Sequence, residues 1–440
     1  MRKPRIAAWF VTFAVAAAVF SLAAQPGAAA EEKPAAGEIG ISAKEIRIAI
    51  VADVDSPLSP GVFQGQVDAI RGYAKYINKR GGVAGRKLVV DFIDSKLSPD
   101  EARNATIKAC AEDFAMVGTA AVFLSNVDDM VGCVDATGTP TGLPDIPTVT
   151  QDRAQQCSPV SYSIAPSPID CSTNDKAVKT YRISQGQVRY YAKRFPDLHG
   201  ICIGQNDLRS TTITGLTICD GVEKLGVKLD ADGFYGISAR SPQTAFTPLV
   251  ASAKDAGSNY VYALMADAQA TSLRREAKLQ GLSSVEVWDC SRACYSDQFL
   301  TGGADVDGQY IPLSALPLEE TTSNKALAAY VKTVGKDKID GFGETGWIAA
   351  ILFHETIDKI VASNGINGIT RARFLDALSK TKAFDAQGIL GTTDIGSRTP
   401  SDCYDLVQVQ NGTFARVHPK KPAMFDCSSK NTVIVELADP

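Results

Sequence analysis

Histidine is the scarcest titratable residue in this 440-residue chain; His199, His354 and His418 are all there is. His354-Glu355 lacks the second histidine that a helical zinc-protease motif requires. No Gly-x-Ser-x-Gly elbow occurs, so a serine hydrolase has no nucleophile geometry to build on. A basic excess is also missing: 45 Lys and Arg face 49 Asp and Glu, which excludes a nucleic-acid or anionic-membrane partner. Cys290-Ser291-Arg292-Ala293-Cys294 is one residue too long for a metal knuckle and has no second pair of matching spacing. Gly341-Phe342-Gly343-Glu344-Thr345-Gly346 spells a dinucleotide fingerprint, but Lys336 to Asp340 before it is not the buried strand the fingerprint needs. These residues read as the glycine-rich start of a helix. No internal repeat of fixed period appears. Catalysis, a metal centre and a cofactor are therefore not expected.

What the chain does have is concentrated between residues 46 and 101. Ile46-Arg47-Ile48-Ala49-Ile50-Val51 reads as a strand buried on both faces. A Ser, Pro and Gly loop from Asp55 to Gly61 leads to a helix with Phe63, Val67, Ile70, Ala74 and Ile77 on one stripe. Gly81 and Gly82 stop that helix, because glycine accepts left-handed backbone angles, and the next strand starts at once. Ser98-Pro99-Asp100-Glu101 is a capping box with proline in the first turn. From Ile77 to Ala102 the pattern INxxGGxxGxxLxxxxxDxxxxPxxA resembles the type I periplasmic binding proteins of the leucine/isoleucine/valine-binding group. These are substrate-binding subunits of ABC importers. The resemblance implies an α/β fold of two doubly wound parallel-sheet lobes, joined by a three-segment hinge and closing on a solute like a flytrap.

At the N-terminus, Arg2, Lys3 and Arg5 precede an apolar stretch from Ile6 to Ala24, then small residues at Ala28-Ala29-Ala30. That order is a secretory signal peptide, with an uncleaved membrane anchor as its rival. Cleavage after Ala30 leaves 410 of the 440 residues; it removes three positive charges and no acid, so the net charge moves from −4 to −7. No cysteine near the cut suggests a lipid anchor, and a free periplasmic or secreted protein is expected. After the cut, no run is long and apolar enough to span a bilayer. Ten cysteines in an exported chain imply disulfides. Sequence leaves the connectivity open; the expectation is that neighbours pair, Cys110 with Cys133, Cys157 with Cys171, Cys202 with Cys219, Cys290 with Cys294 and Cys403 with Cys427.

Strands alternating with helices continue along the chain, at His199 to Gly204, Thr211 to Leu225, Tyr260 to Leu264, Gln269 to Gln280 and Val285 to Trp288. This alternation is the signature of parallel sheets with helical crossovers. Residues 31–44 form a polar leader expected to be mobile. Extended segments at Tyr162 to Pro168, Gln309 to Pro317 and Cys403 to Val409 fall where the resemblance implies hinge crossings. Lobe 1 would hold residues 45–165 and 314–402; lobe 2 would hold 166–313 and 403–430, with 431–440 as a tail.

In open α/β sheets ligands sit beyond the carboxyl ends of strands. The resemblance carries that rule onto six loops. Those of lobe 1 contain Ser56 and Ser59, then Phe123 and Ser125, then Asp152 and Arg153. Those of lobe 2 contain Arg209, then Asp267, then Asp289, Ser291 and Arg292, while Phe342 and Trp347 fall where relatives put an aromatic wall. The departures are informative. Amino-acid binders hold the α-carboxylate with a Ser and an Ala-Thr pair and the α-ammonium with an acid. Here Val122 or Phe123, the stretch Asp152 to Ala154, and Ser291 stand at those places. A dry cleft without the matching groups would leave a zwitterion's charges unpaired, at a cost of several kcal/mol. A plain branched-chain amino acid is thus not expected. Arg153, Arg209 and Arg292 are candidates to clamp a carboxylate, with Phe123, Tyr295 and Trp347 over an apolar body. Each has an ordinary alternative: a surface arginine, a turn serine, or, for Trp347, a core residue.

The expectation is a monomeric solute receptor serving an ABC permease without chemistry. A ligand-sensing module feeding a membrane signalling protein shares the fold, and a hydrolase on the same scaffold lacks its nucleophile–base pair.

Overall fold

The computed structural model describes Met1 and residues 33–55, 60–207 and 209–438. The signal-peptide stretch and the serines at 56 and 59 lie outside these residues. The first apolar run forms β1 (Glu45–Ala52), and the chain continues through α1 (Gln64–Asn78), β2 (Lys87–Asp94), α2 (Pro99–Glu112) and β3 (Ala115–Thr119). A single turn, α3 (Asp128–Val131), then precedes β4 (Asp145–Pro147) and the short α4 (Arg153–Gln156). The four strands make one parallel sheet in the order β2-β1-β3-β4. β1 shows why its sequence is apolar throughout. Ile46, Ile48, Ile50 and Ala52 enter one core with Val67 and Ile70 of α1, while Ala49 and Val51 enter another with Ala102 and Ala105 of α2. The capping box forms as the sequence predicts: Ser98 accepts the Glu101 N–H at 3.4 Å, with Pro99 starting the helix.

A second sheet follows from β5 (Val178–Ser184), α5 (Gly186–Arg194), β6 (His199–Gln205), α6 (Arg209–Lys224) and β7 (Lys228–Ile237). Then come α7 (Thr247–Ala256), β8 (Tyr260–Leu264), α8 (Asp267–Leu279), β9 (Val287–Cys290), the turn α9 (Asp297–Leu300) and β10 (Gln309–Leu313). Strands β10-β9-β8-β6-β7 are parallel. Next, α10 (Lys325–Val334), α11 (Gly341–Asn364) and α12 (Arg371–Ser379) return to the core of the first sheet. The chain then crosses back: β11 (Cys403–Gln410) and β12 (Thr413–His418) extend the second sheet antiparallel beyond β10. β13 (Asp426–Cys427) pairs β11, and β14 (Thr432–Ala438) pairs β5. The fold is thus two α/β lobes, with helices on both faces of the main sheets and three passages of chain between them.

The glycines of the nucleotide-like motif find another purpose. A Cβ on Gly343 would lie 2.8 Å from the Gly65 carbonyl oxygen, and one on Gly346 would lie 3.0 Å from that of Gln66. They let α11 press against α1; no strand precedes them. The ten cysteines form the five neighbour pairs expected, and no free cysteine remains among the described residues. No helix among the described residues is long and apolar enough to cross a membrane.

Candidate functional site

Parallel strands end together, and where β5, β8, β9 and β10 end the second sheet borders a cavity of about 330 Å³. Its floor is Ile183, Ser184 and Gln185 from β5 onward, Tyr262 and Leu264 from β8, Ser291 and Arg292 after β9, and Leu313 and Ser314 from β10. The antiparallel β11 contributes Cys403 and Tyr404 from its start. The roof is Ile164, Ala165 and Pro166, from the chain that leaves the first sheet, together with Leu390 and Thr393. Ile164 is still tied to that sheet, its N–H reaching the Pro147 carbonyl, whereas Pro168 already accepts the Arg182 N–H of β5. The cavity therefore lies beside the chain passages, between the lobes.

Its lining is mainly apolar, and its polar groups are unevenly satisfied. Gln185 is buried, and neither Oε1 nor Nε2 has a hydrogen-bond partner. Leaving a buried amide unpaired costs about 1–3 kcal/mol. Arg292, by contrast, is engaged. It reaches from the end of β9 to α11, donating to Glu344 Oε2 at 3.0 Å and to the Gly341 carbonyl. Glu344 is only 1% exposed. Burial pushes its carboxyl up to about 8, Arg292 draws it back, and Glu319 pushes it further up. Glu319 accepts the Tyr295 hydroxyl at 2.6 Å, and the same hydroxyl accepts the Leu318 N–H. Nearby, Arg416 pairs with Asp405 at 2.9 Å and with Glu320. Burial holds Asp405 well above the usual carboxylate range, although Arg416 opposes it. A buried acid-rich network thus joins the second lobe to α11 of the first.

Of the residues expected at a site, Ser291 and Arg292 line the cavity. The others stand elsewhere for identifiable reasons. Trp347 is 1% exposed and packs among Tyr73, Tyr76 and Tyr330 at ring distances of 4.9–5.6 Å, so it is core. Phe342 meets Phe63 edge-on in the same core rather than forming a wall. Asp289 is wholly buried in the second sheet, accepting from Tyr191 and Tyr260 at 3.2 and 3.3 Å, and burial pushes its carboxyl up to about 8. Asp152 caps α4 through the Ala154 N–H, and Asp267 accepts the Ser296 hydroxyl at 2.6 Å. Arg153 lies in α4; Arg209 is exposed at the start of α6. Phe123 is half-buried and Ser125 exposed in the turn after β3. The structure brings none of these to the cavity lining.

Sequence reasoning missed Gln185 and Glu344. A lone acid inside the apolar run from Gly341 to Phe353 was a visible signal for Glu344. Gln185 was legible only to a reader who had found β5, whose pattern is largely polar.

A family model described as periplasmic binding protein matches residues 45–413. No curated protein sequence matches this chain. Among solved structures, it is similar to a fatty acid ABC transporter substrate-binding protein from Thermomonospora curvata. That pair is 17% identical with a TM-score of 0.65, covering 90% of this chain and 96% of that one. It is also similar to a leucine-binding protein from Thermotoga maritima (14% identity, TM-score 0.61, 84% and 97% covered). A third is a solute-binding protein of an ABC transporter from R. palustris in complex with benzoate (15%, 0.59, 87% and 98%).

Proposed function

Because the chain belongs to the periplasmic binding protein family, among the type I receptors of ABC transporters, we propose that it captures a small organic solute between its lobes and presents it to a permease. It does so by hinge closure and performs no chemistry. The observation that carries this reading is the cavity at the strand ends, roofed by one lobe and floored by the other. A solute touching both lobes favours their approach, since binding shifts the balance toward the state it contacts more. The leader up to Ala30 is taken as a cleaved export signal, which puts the receptor outside the cytoplasm as a free monomer.

The solute has an apolar body and lacks an α-ammonium group. No Asp or Glu is among the described residues lining the cavity, so an amino acid's ammonium would have no partner there. Relatives named for fatty acid and for benzoate make an apolar guest a natural choice for this architecture. The carboxylate fork expected of Arg292 is already filled by the protein's own Glu344.

The test is a thermal-shift screen of the exported protein, followed by small-angle scattering with and without each hit. A true solute raises stability by mass action and reduces the radius of gyration. Leucine, isoleucine and valine at millimolar levels should give no shift. Hits that leave the scattering profile unchanged would sink the closure mechanism.

A further inference from the structure

Gln185 is held in place by its surroundings. Its N–H donates to the Asn431 carbonyl at 2.9 Å, and its own carbonyl accepts from Val188 at 3.1 Å. At its neighbour Gly186 a Cβ would lie 2.3 Å from the Tyr404 ring, so this turn has no room to swing. The Gln185 side chain is 4% exposed and lines the cavity, with both amide atoms unpartnered. The Tyr262 phenol is near enough to feel this amide, but without the geometry of a hydrogen bond. An unpaired donor and an unpaired acceptor on one rigid group ask for a guest that supplies one of each.

The charges around it are already matched. Arg292 is held by Glu344 at 3.0 Å, and Arg182 lies 3.8 Å from Asp402. An ammonium would find no anion here, and a carboxylate would meet only guanidinium groups that have one. Ile164, Ile183, Ile218 and Leu390 supply the apolar walls.

We infer that the solute is a neutral molecule with a carboxamide-type group, an amide, lactam or urea, on a compact apolar body. Its carbonyl accepts from Gln185 Nε2 while its N–H donates to Gln185 Oε1. The inference rests on the solute-receptor reading and narrows its substrate class.

The experiment is calorimetric titration of the exported protein with benzamide, benzoate and benzylamine, each paired with scattering. Benzamide should bind at least tenfold tighter than the other two, and Gln185→Leu should weaken it at least tenfold. Gln185→Glu, which keeps the shape, provides the same comparison if the leucine variant does not fold. The inference is overturned if none of the three probes binds. It is overturned equally if benzoate or benzylamine binds as well as benzamide, or if the folded variant binds benzamide unchanged. Compaction is a separate readout: benzamide binding that depends on Gln185 but leaves the lobes apart would end the receptor reading while this pocket chemistry stood.

Discussion

Two pairs of buried arginines in this molecule are held in opposite ways. In the first lobe, Arg86 donates to the carbonyls of Ser42, Ala84, Ile366 and Ala35 and to the Asn367 side-chain oxygen. Arg371 donates to the carbonyls of Phe114, Val134, Cys110 and Asp113, and to Cys133 Sγ. Neutral acceptors saturate both forks and tie distant loops together. Around the lobe contact, Arg292 and Arg416 face carboxylates instead, and valences stay open: Arg292 Nε, Glu344 Oε1 and Asp405 Oδ1 are buried without partners. A fork filled by backbone carbonyls has nothing to titrate and no alternative arrangement. A fork shared with raised-pKa acids responds to protons and can be re-paired. The first kind is framework, and the second sits where two lobes must move.

Arg371→Leu should break this contrast most visibly. Removing the cation strands five buried acceptors, at a cost of about 3–5 kcal/mol, read by urea unfolding. A loss below 1 kcal/mol would show that those carbonyls find other donors. The third passage carries a covalent pin, Cys403–Cys427, closing a span of 24 residues. Its double replacement by serine should cost about 3 kcal/mol in the loop-entropy picture, measured the same way; titration of the intact exported protein should find no reactive thiol.

The pH response separates the two arginine environments. Glu344 is raised from its ordinary 4.5 to about 8, so between those values the native state holds more proton than the unfolded chain. Stability must then fall as pH rises across that window, with a limiting slope of about 1.4 kcal/mol per unit from this group. Asp289, raised from 3.8 to about 8, contributes with the same sign. Glu344→Gln should flatten the curve of stability against pH, and Arg371→Lys should not; equal slopes in all three proteins would remove the distinction. The smallest effect is expected from Asp152→Ala. Loss of its cap should cost about 1 kcal/mol with no change in solute affinity, whereas a large affinity loss would restore it to the site.

Local pattern was enough for the first βαβ unit. An eight-residue apolar strand, a helix with one apolar stripe, a glycine stop and a capping box need only near neighbours to be read, and the α/β class and family resemblance follow from them. The neighbouring cysteine pairs are legible for the same reason. The site was not. Loop residues such as Asp152 and Asp267 look free in sequence because their partners, a backbone N–H and Ser296, appear only once the chain turns back. Trp347 looks like a wall until Tyr73 and Tyr330 close over it. Whether a polar group is spent on the protein or left for a guest depends on what is packed against it, and only the tertiary structure brings those partners together. It did so at Gln185, whose amide the fold buries and leaves unanswered.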